Sequence, residues 1–392
     1  MPHELVDFAA SKTEALLAFL EELVRIESPT DNPAGIEKAQ ALLASRFRDL
    51  GAEVELIPSD HLSPVPRRER EPGADGFGPH LLARTGDGPD QVLVVGHVDT
   101  VWRMGTLAQM PYRRDGERIA GPGIYDMKGG IALIWQALAG LRELGRLSAS
   151  RLAVLITSDE EVGSPTSRRL VEDLACESKA VLVFEPGVLP AGAVKTARKG
   201  VCLFKLKVSG KAAHAGNDPD RGRSAIYELA RQIAKLETLA DRASGVSVNV
   251  GVIRGGTRPN VVAAEAEAEI DLRVATLAQG EAMEQAILGL EPLGPDIRIE
   301  VIGGLNRPPM ERSPHVAELY DQVRGLAEDI GIELPHLAVG GGSDGNFTAA
   351  LGVPTLDGLG VVGAGAHADH EHIRVSHLPN RLALTMRLFE AL

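Results

Sequence analysis

Runs of apolar residues in the first half of the chain predict buried β-strands that alternate with helices. The segments 91–96, 151–158 and 180–184 (QVLVVG, RLAVLITS and AVLVF) are apolar throughout, as strands buried on both faces of a sheet are. Between the first two, Gly129–Leu144 has helical spacing and is ended by Gly145. Strands that alternate with helices indicate a mostly parallel sheet covered on both faces.

The N-terminal region predicts two amphipathic helices and one strand before this alternation begins. The apolar residues of the two helices recur at helical spacing and are Leu16, Leu20, Leu23 and Val24 in the first, and Ile36, Ala39, Leu42, Leu43 and Phe47 in the second. Gly51 ends the second helix, and a strand follows at Ala52–Ile57. Residues 58–79 are rich in Pro, Gly, Arg and Asp, so we expect a long surface loop or insert there.

Around residue 200 the pattern changes to that of a second, smaller domain. The predicted elements are the strand Val201–Ser209, the helix Ser224–Leu239, the strands Val246–Ile253 and Ala264–Val274, the helix Gly280–Leu290 and the strand Ile297–Ile302. This order describes a ferredoxin-like α+β sandwich. After Pro308 and Pro309 the first pattern resumes, so we expect residues 199–307 to be inserted into a domain formed by 1–198 and 308–392.

The composition restricts the class of protein. A length of 392 residues is typical of two domains, and 44% hydrophobic with 24% charged residues is typical of a soluble protein. The net charge of −13 argues against nucleic acid or an anionic membrane as the main partner. We find neither a signal peptide nor an apolar run of membrane-spanning length. Cys176 and Cys202 lie in apolar surroundings, so we expect buried free thiols and a cytoplasmic location.

Acidic and imidazole side chains follow each of the three apolar strands. His97 and Asp99 come after the first, Glu160 and Glu161 after the second, and Glu185 after the third. Open α/β sheets bind their ligands beyond the carboxyl ends of the strands. The sequence therefore predicts a metal site at this edge, and a hydrolytic one.

A pair of divalent cations roughly 3.5–4 Å apart can supply both the nucleophile and the oxyanion stabilisation that amide hydrolysis requires. Such a site needs carboxylates and imidazoles. The candidates are His97, Asp126, Glu161, Glu185 and one of the C-terminal histidines His367, His370, His372 and His377. Three carboxylates and one hydroxide carry about −4, which balances two dications at about +4. Asp99 is placed to hold the other ring nitrogen of His97, and Glu160 to act as a general base.

Motifs along nearly the whole chain resemble, in order and spacing, the dinuclear-zinc metallopeptidase family 20. This family contains acetylornithine deacetylases, aminoacylases, succinyl-diaminopimelate desuccinylases and glutamate carboxypeptidases. The motifs are HVDTV, GPGIYDMKGG, TSDEEVGS, FEPG, GKAAHAG, GGTRPNVV, DLR, GGGSDGNF and GAHADHEHI. HVDTVW, the GPG before Asp126 and FEP most resemble the folate-hydrolysing glutamate carboxypeptidases. The resemblance implies a zinc-exopeptidase α/β domain with an inserted ferredoxin-like dimerisation (lid) domain.

The resemblance also implies a ligand set for two zinc ions per subunit. His97, Asp126 and Glu185 would hold one ion, and Asp126, Glu161 and His367 the other. In the family the C-terminal ligand lies in a Gly-Ala-His element followed four residues later by Glu, which selects His367 among the four histidines. Cobalt or manganese would fit the same ligands.

For the other residues of the centre, the resemblance implies that Glu160 is the base and Asp99 the support of His97. It also implies a cis bond between Asp126 and Met127.

On the substrate side, the resemblance implies a homodimer in which His214 reaches the neighbouring active site and polarises the scissile carbonyl together with Asn260. Arg307 and Arg273 would clamp a substrate carboxylate, since a guanidinium binds carboxylates bidentately. Arg273 is equally compatible with a structural ion pair. The glycine run around Gly341 lacks the end of a phosphate-binding loop, which favours a backbone wall against the substrate.

One segment departs from the glutamate carboxypeptidases. Arg198 and Lys199 stand where those enzymes have small polar residues. These cations either recognise another acidic group of the substrate or face solvent.

Together these patterns predict a zinc-dependent hydrolase of peptidyl or N-acylated amino acids with a free carboxylate. A glutamate carboxypeptidase is the first choice, and an acetylornithine-type deacetylase or aminoacylase is the alternative. A non-catalytic member that binds a small molecule would be expected to have lost Glu160 or a metal ligand, and these residues are all present.

Overall fold

A computed structural model describes residues 4–59, 76–147 and 151–392 of the chain. They divide into two units. Unit 1 contains the described residues of Met1–Ala197, together with Arg312–Ala338 and Ser343–Leu392. Unit 2 contains Arg198–Glu311 and Val339–Gly342, and the insertion predicted at 199–307 lies within the first of these two ranges.

Within the described ranges the helices are α1 (Glu4–Ser11), α2 (Thr13–Val24), α3 (Pro33–Asp49), α4 (Thr106–Gln109), α5 (Gly129–Glu143), α6 (Arg168–Cys176), α7 (Ala225–Glu237), α8 (Leu277–Leu288), α9 (Pro314–Glu328), α10 (Gly345–Ala350) and α11 (Leu378–Ala391). The strands are β1 (Glu53–Ile57), β2 (His80–Thr85), β3 (Gln91–His97), β4 (Arg113–Asp115), β5 (Arg118–Ala120), β6 (Arg151–Thr157), β7 (Ser178–Val183), β8 (Val194–Arg198), β9 (Gly200–Ser209), β10 (Ser247–Gly255), β11 (Glu265–Val274), β12 (Arg298–Arg307), β13 (His336–Val339), β14 (Thr355–Leu356), β15 (Gly363–Ala364) and β16 (His372–Arg374).

The central sheet of unit 1 has the strand order β1-β2-β6-β3-β7-β14. β3 pairs in parallel with both β6 and β7, and β14 pairs in parallel with β7. β1 and β2 extend the sheet in antiparallel pairing. The prediction of a mainly parallel sheet is confirmed, with antiparallel strands at one edge.

Side chains of β3 alternate between two cores, because successive residues of a strand point to opposite faces. Val92 and Val94 belong to a core that also contains residues of α2, α3, α5 and α11. Leu93 and Val95 belong to a second core with residues of α6 and α10. All residues of β3 are therefore buried, which explains the unbroken apolar run in the sequence.

In unit 2 the antiparallel sheet has the order β10-β11-β9-β12, and α7 and α8 contribute to one core with it. With the chain order β-α-β-β-α-β, this is the predicted ferredoxin-like arrangement. The largest difference is at β12, which continues beyond Ile302 to Arg307. Gly303 and Gly304 have no side chain to continue the alternation, although their backbone still pairs with β9.

Both cysteines are free, and Cys202 is buried as expected, but Cys176 is exposed. The burial predicted for Cys176 is wrong because α6 buries Val171, Leu174 and Ala175, and its last residue lies off this face. The loop predicted at 58–79 lies mostly outside the described residues. No helix in the described ranges has both the length and the apolar character that a membrane crossing requires. The cytoplasmic location stays a prediction.

Candidate metal centre

The carboxyl ends of β6, β3 and β7 lie side by side, and each leads into acidic or imidazole side chains. His97 is the last residue of β3. Glu160 and Glu161 begin a short 3-10 helix after β6, and Glu185 follows β7 by two residues. Parallel pairing brings these strand ends to one edge of the sheet, where α/β folds bind their ligands.

Two imidazoles meet three carboxylates at this edge. His97 Nε2 lies 3.3 Å from Asp126 Oδ1 and 3.5 Å from Glu185 Oε1. His367 Nε2 lies 3.3 Å from Asp126 Oδ2 and 3.1 Å from Glu161 Oε2. Asp126 thus faces one imidazole with each of its oxygens, which is the arrangement expected of a carboxylate that bridges two ions.

The donor set fits a divalent cation. Asp126 Oδ1 and Glu161 Oε1 are buried and have no hydrogen-bond partner among the described residues, although a buried charge needs one. Ligand atoms of His97, Asp126 and Glu161 lie within 4.8 Å of one another, and so do those of His97, Glu160 and Glu185. Imidazole nitrogens combined with carboxylate oxygens are typical zinc ligands.

The carboxylates control the protonation of both imidazoles. Contacts with Asp126 and Glu161 raise the pKa of His367 to about 10. Burial opposes the charged form of His97, but contacts with Asp126 and two further carboxylates raise its pKa well above the usual value. Burial raises the pKa of Glu161 to about 7, partly offset by His367. A metal ion must therefore displace protons from this cluster.

Asp99 connects the end of β3 to the turn after β6. Its buried carboxylate has Oδ1 at 3.3 Å from His97 Nδ1, and the Asp99 carbonyl oxygen lies 3.0 Å from the same nitrogen. Asp99 also accepts hydrogen bonds from Glu160 N at 3.3 Å, Glu161 N at 3.2 Å and Thr30 Oγ1 at 2.7 Å. This geometry leaves His97 Nε2 facing the cluster, as the predicted support role requires.

The C-terminal histidines differ in where their rings lie. Among them, His367 is the one whose ring contacts Asp126 and Glu161. Its backbone has φ +62°, a left-handed conformation that costs energy for a residue with a Cβ and is concentrated at functional sites. The ring of His370 is exposed, and His372 Nδ1 lies 2.8 Å from the His370 carbonyl oxygen. The Asp126–Met127 peptide bond is cis, which confirms that prediction.

Two buried residues beside the centre had no predicted role. The carboxylate of Glu371 accepts four hydrogen bonds, one of them from Asp126 N. Lys128 Nζ donates to the Ile26 carbonyl oxygen at 2.7 Å, and burial lowers the pKa of Lys128 to about 7. Both lie in the quoted motifs, GAHADHEHI and GPGIYDMKGG, so their position in the motifs was the available signal.

The turn after β6 is held by two further buried carboxylates that had no predicted role. Asp159 accepts from Thr166 N and Thr166 Oγ1, both at 2.6 Å. Asp344 accepts from Ser164 Oγ at 2.5 Å and from Thr157 Oγ1 at 3.2 Å. Because these bonds join both ends of the turn to buried partners, the turn presents its acidic side chains in a defined position.

The residues predicted to contact the scissile bond lie in unit 2 and are exposed. His214 Nδ1 accepts hydrogen bonds from Gly216 N and Asn217 N, both at 3.1 Å. A ring nitrogen that accepts N–H bonds carries no proton, so Nε2 carries the proton and can donate it to an oxygen. The Asn260 carbonyl oxygen accepts from Ala215 N at 3.0 Å, which brings Asn260 next to His214.

Arg273 and Arg307, the two arginines predicted to bind a substrate carboxylate, differ in their surroundings. Arg273 donates to Asp271 through Nε and Nη2, both at 2.7 Å, so the structural ion pair is formed. Arg307 is buried at the end of β12, where it pairs with Val201 of β9.

Arg198, one of the two cations that depart from the glutamate carboxypeptidase pattern, contacts the glycine run around Gly341 in unit 2. Arg198 is buried, and its Nη1 donates to the carbonyl oxygens of Gly341 and Gly342, both at 3.1 Å. The solvent-facing alternative is therefore wrong for Arg198, because its guanidinium satisfies backbone carbonyls of the glycine run.

Comparisons with known proteins agree with this picture. Residues 93–391 match the model of peptidase family M20/M25/M40. Carboxypeptidase G2 from Pseudomonas sp. (strain RS-16) is 30% identical over 392 residues, which cover 98% of this chain and 91% of that protein. A succinyl-diaminopimelate desuccinylase from Alkalilimnicola ehrlichii is 28% identical over 381 residues, 92% of this chain and 95% of that one. Aminopeptidase PepT from Bacillus cereus has a similar structure, with TM-score 0.73 and 25% identity over 96% of this chain and 98% of that one.

We expect zinc binding to the metal-free protein at pH 7 to release protons, because His97 and His367 must lose theirs to become ligands and Glu161, with a pKa of about 7, must become fully ionised. Because carboxylates raise the pKa of His367 to about 10 and that of His97 well above its usual value, zinc affinity should fall as the pH is lowered. Calorimetric titration in buffers of different ionisation enthalpy measures the number of protons. His367→Gln should release about one fewer, whereas His370→Gln should match the unsubstituted protein. Zinc binding without proton release would contradict these protonation states.

Proposed function

Since the chain belongs to peptidase family M20/M25/M40 and is a hydrolase of peptide or amide bonds, we propose that it is a two-zinc glutamate carboxypeptidase. The position of Asp126 between the imidazoles of His97 and His367 carries the proposal. The substrate is a peptidyl or acyl conjugate of an amino acid with a free carboxylate.

The cluster divides into two overlapping ligand sets. His97, Asp126 and Glu185 hold one zinc ion, and Asp126, Glu161 and His367 hold the other. When bound, the two ions supply Lewis acidity and a water nucleophile at neutral pH. Cobalt or manganese suits the same donors.

Glu160 is the general base. It takes a proton from the attacking water and delivers it to the amine that leaves. Its ligand atom lies within 4.8 Å of those of His97 and Glu185, and its backbone N–H is held by Asp99.

His214 and Asn260 stabilise the carbonyl oxygen as it becomes an oxyanion. His214 suits this role because its Nδ1 accepts two backbone N–H bonds and Nε2–H remains as a donor. We propose that in a homodimer these residues serve the active site of the neighbouring subunit. Arg307 binds the substrate carboxylate, and the backbone at Gly341 lines the substrate.

Two observations bear on the choice of substrate. The 30% identity with carboxypeptidase G2 over almost the whole chain, together with the burial of Arg307, supports the glutamate conjugate. A deacylase of N-acyl amino acids is the second candidate. The similar extent of the match to a desuccinylase favours it.

Glu160→Gln should lower kcat by about 10²–10⁴-fold while both zinc ions remain bound, because the amide cannot accept the proton. Glu161→Gln is the matched change one residue along, and it should lose zinc as well as activity. Metal content after gel filtration and initial rates distinguish the two variants. Loss of zinc from Glu160→Gln would show that Glu160 is a metal ligand rather than the base.

A panel of folyl-glutamate, N-acetyl-ornithine, N-acyl amino acids and dipeptides should show selective release of glutamate. Arg307→Met should raise KM for these substrates by about tenfold or more, because a charge-assisted hydrogen bond to the carboxylate is lost. Arg298→Met, an exposed change at the other end of β12, is the control. Preference for simple acyl amino acids would assign the protein to the deacylases.

Coexpression of His214→Ala with Glu160→Gln should restore roughly a quarter of the activity, although each variant alone is inactive. Half of randomly paired C2 dimers are mixed, and one of their two sites then has both residues intact. The rate per subunit of the coexpressed mixture measures this, and the purified mixed dimer should retain about half of the activity. A mixed dimer without activity would show that His214 does not act on the neighbouring subunit.

A further inference from the structure

Glu371 has an unusually complete set of hydrogen bonds for a buried carboxylate. The residue is fully buried. Its Oε1 accepts from Tyr125 N at 2.9 Å and Asp126 N at 3.1 Å, and its Oε2 accepts from Gly123 N at 2.9 Å and Trp102 Nε1 at 2.7 Å. A carboxylate has about four lone-pair sites, so this one is saturated by N–H donors.

These donors come from segments that carry the metal ligands. Trp102 lies five residues after His97, in the loop that follows β3. The backbone from Gly123 to Asp126 leads into α5 and carries the bridging carboxylate. Glu371 itself lies four residues after His367, at the end of a turn in which Glu371 N donates to the Ala368 carbonyl oxygen at 2.9 Å. The side chain of Glu371 therefore connects the three segments that carry His97, Asp126 and His367.

We propose that Glu371 is a positioning residue for the metal centre, because it holds the backbone at Asp126 relative to the segments of His97 and His367. The proposal rests on the two-zinc centre described above. Glu371 is not itself a ligand, because N–H groups occupy its oxygens. Through these hydrogen bonds, Glu371 fixes the position of the backbone from which the Asp126 carboxylate extends.

The negative charge of Glu371 lets both oxygens accept N–H bonds, and the side chain of Lys128 lies nearby. Burial raises the pKa of Glu371, and the N–H donors oppose that rise. The buried cation Lys128 lies close enough for the charges of Glu371 and Asp99 to act on it. A glutamine would have one accepting oxygen, and its NH2 group would face two N–H donors. Because glutamine has nearly the same volume as glutamate, this loss of acceptors is what would release the backbone at Asp126.

The test compares Glu371→Gln with Glu117→Gln. Glu117 is a suitable control because it is an exposed carboxylate that accepts hydrogen bonds from Ser376 N and Ser376 Oγ. Ser376 follows Glu371 closely in the chain, but Glu117 does not contact Asp126. Zinc affinity and stoichiometry are measured by competition with a chromogenic chelator, and folding by the melting temperature of the metal-free protein. We expect Glu371→Gln to weaken zinc binding by about 10–100-fold, and Glu117→Gln to leave it unchanged.

A second substitution separates positioning from general stability. In Glu371→Gln/Trp102→Phe, one of the N–H donors that would face the new NH2 group is gone, so zinc affinity should partly return. Trp102→Phe alone should cost about two- to tenfold, because one hydrogen bond to a carboxylate is lost. If Glu371→Gln does not fold, this single variant decides, and unchanged affinity would overturn the proposal.

The outcomes distinguish this proposal from the proposed function. If the unsubstituted protein binds no zinc, the proposed function is wrong, and this inference with it. If that protein binds two zinc ions and folded Glu371→Gln binds them equally tightly, only the role of Glu371 is wrong. Weakened binding that the double variant does not recover would also contradict positioning through these N–H groups.

Discussion

The structure depends on one carboxylate facing two imidazoles. Asp126 contacts His97 with one oxygen and His367 with the other, and these residues belong to segments far apart in the chain. The parallel pairing of β3 and β6 and the bonds of Asp99 place His97 beside the turn with Glu161. Asp126 is joined to the segment of His367 by the hydrogen bond from its N–H to Glu371. Small shifts of any segment would change the distance between the imidazoles, so buried hydrogen bonds around the centre are essential to its geometry.

This centre concentrates negative charge in a buried place, which a folded protein tolerates only with compensation. Asp126, Glu161 and Glu185 contact imidazoles with raised pKa values, and Asp99 and Glu371 accept hydrogen bonds from backbone N–H groups. Buried lysines add positive charge. Lys195 Nζ lies 4.0 Å from Glu185 Oε2, and Lys128 lies near Asp99 and Glu371. The same charge makes the centre a strong site for dications, since each ion replaces protons that the cluster otherwise holds.

The residues proposed for catalysis and those proposed for substrate binding lie in different units. The candidate ligands and base lie in unit 1, whereas His214, Asn260 and Arg307 lie in unit 2. A carboxypeptidase and a desuccinylase are both similar to this chain over more than nine-tenths of its length. Relatives named for different substrates thus match almost the whole of this chain. The pair of Arg273 with Asp271 shows that a cation in such a position can have a structural partner.

The sequence by itself determined the elements and the edge of the sheet at which the chemistry occurs. Apolar runs reveal buried strands because burial requires apolar side chains locally, and the acidic residues that follow β3, β6 and β7 are thereby placed at one edge. The residue patterns left four C-terminal histidines open and the family resemblance selected His367, whereas only the tertiary structure decided its contact with Asp126 and the contacts of Glu371 and Lys128. Glu371 lies 245 positions from Asp126, so their hydrogen bond leaves no periodic signal in the chain. It exists because packing brings the two segments together.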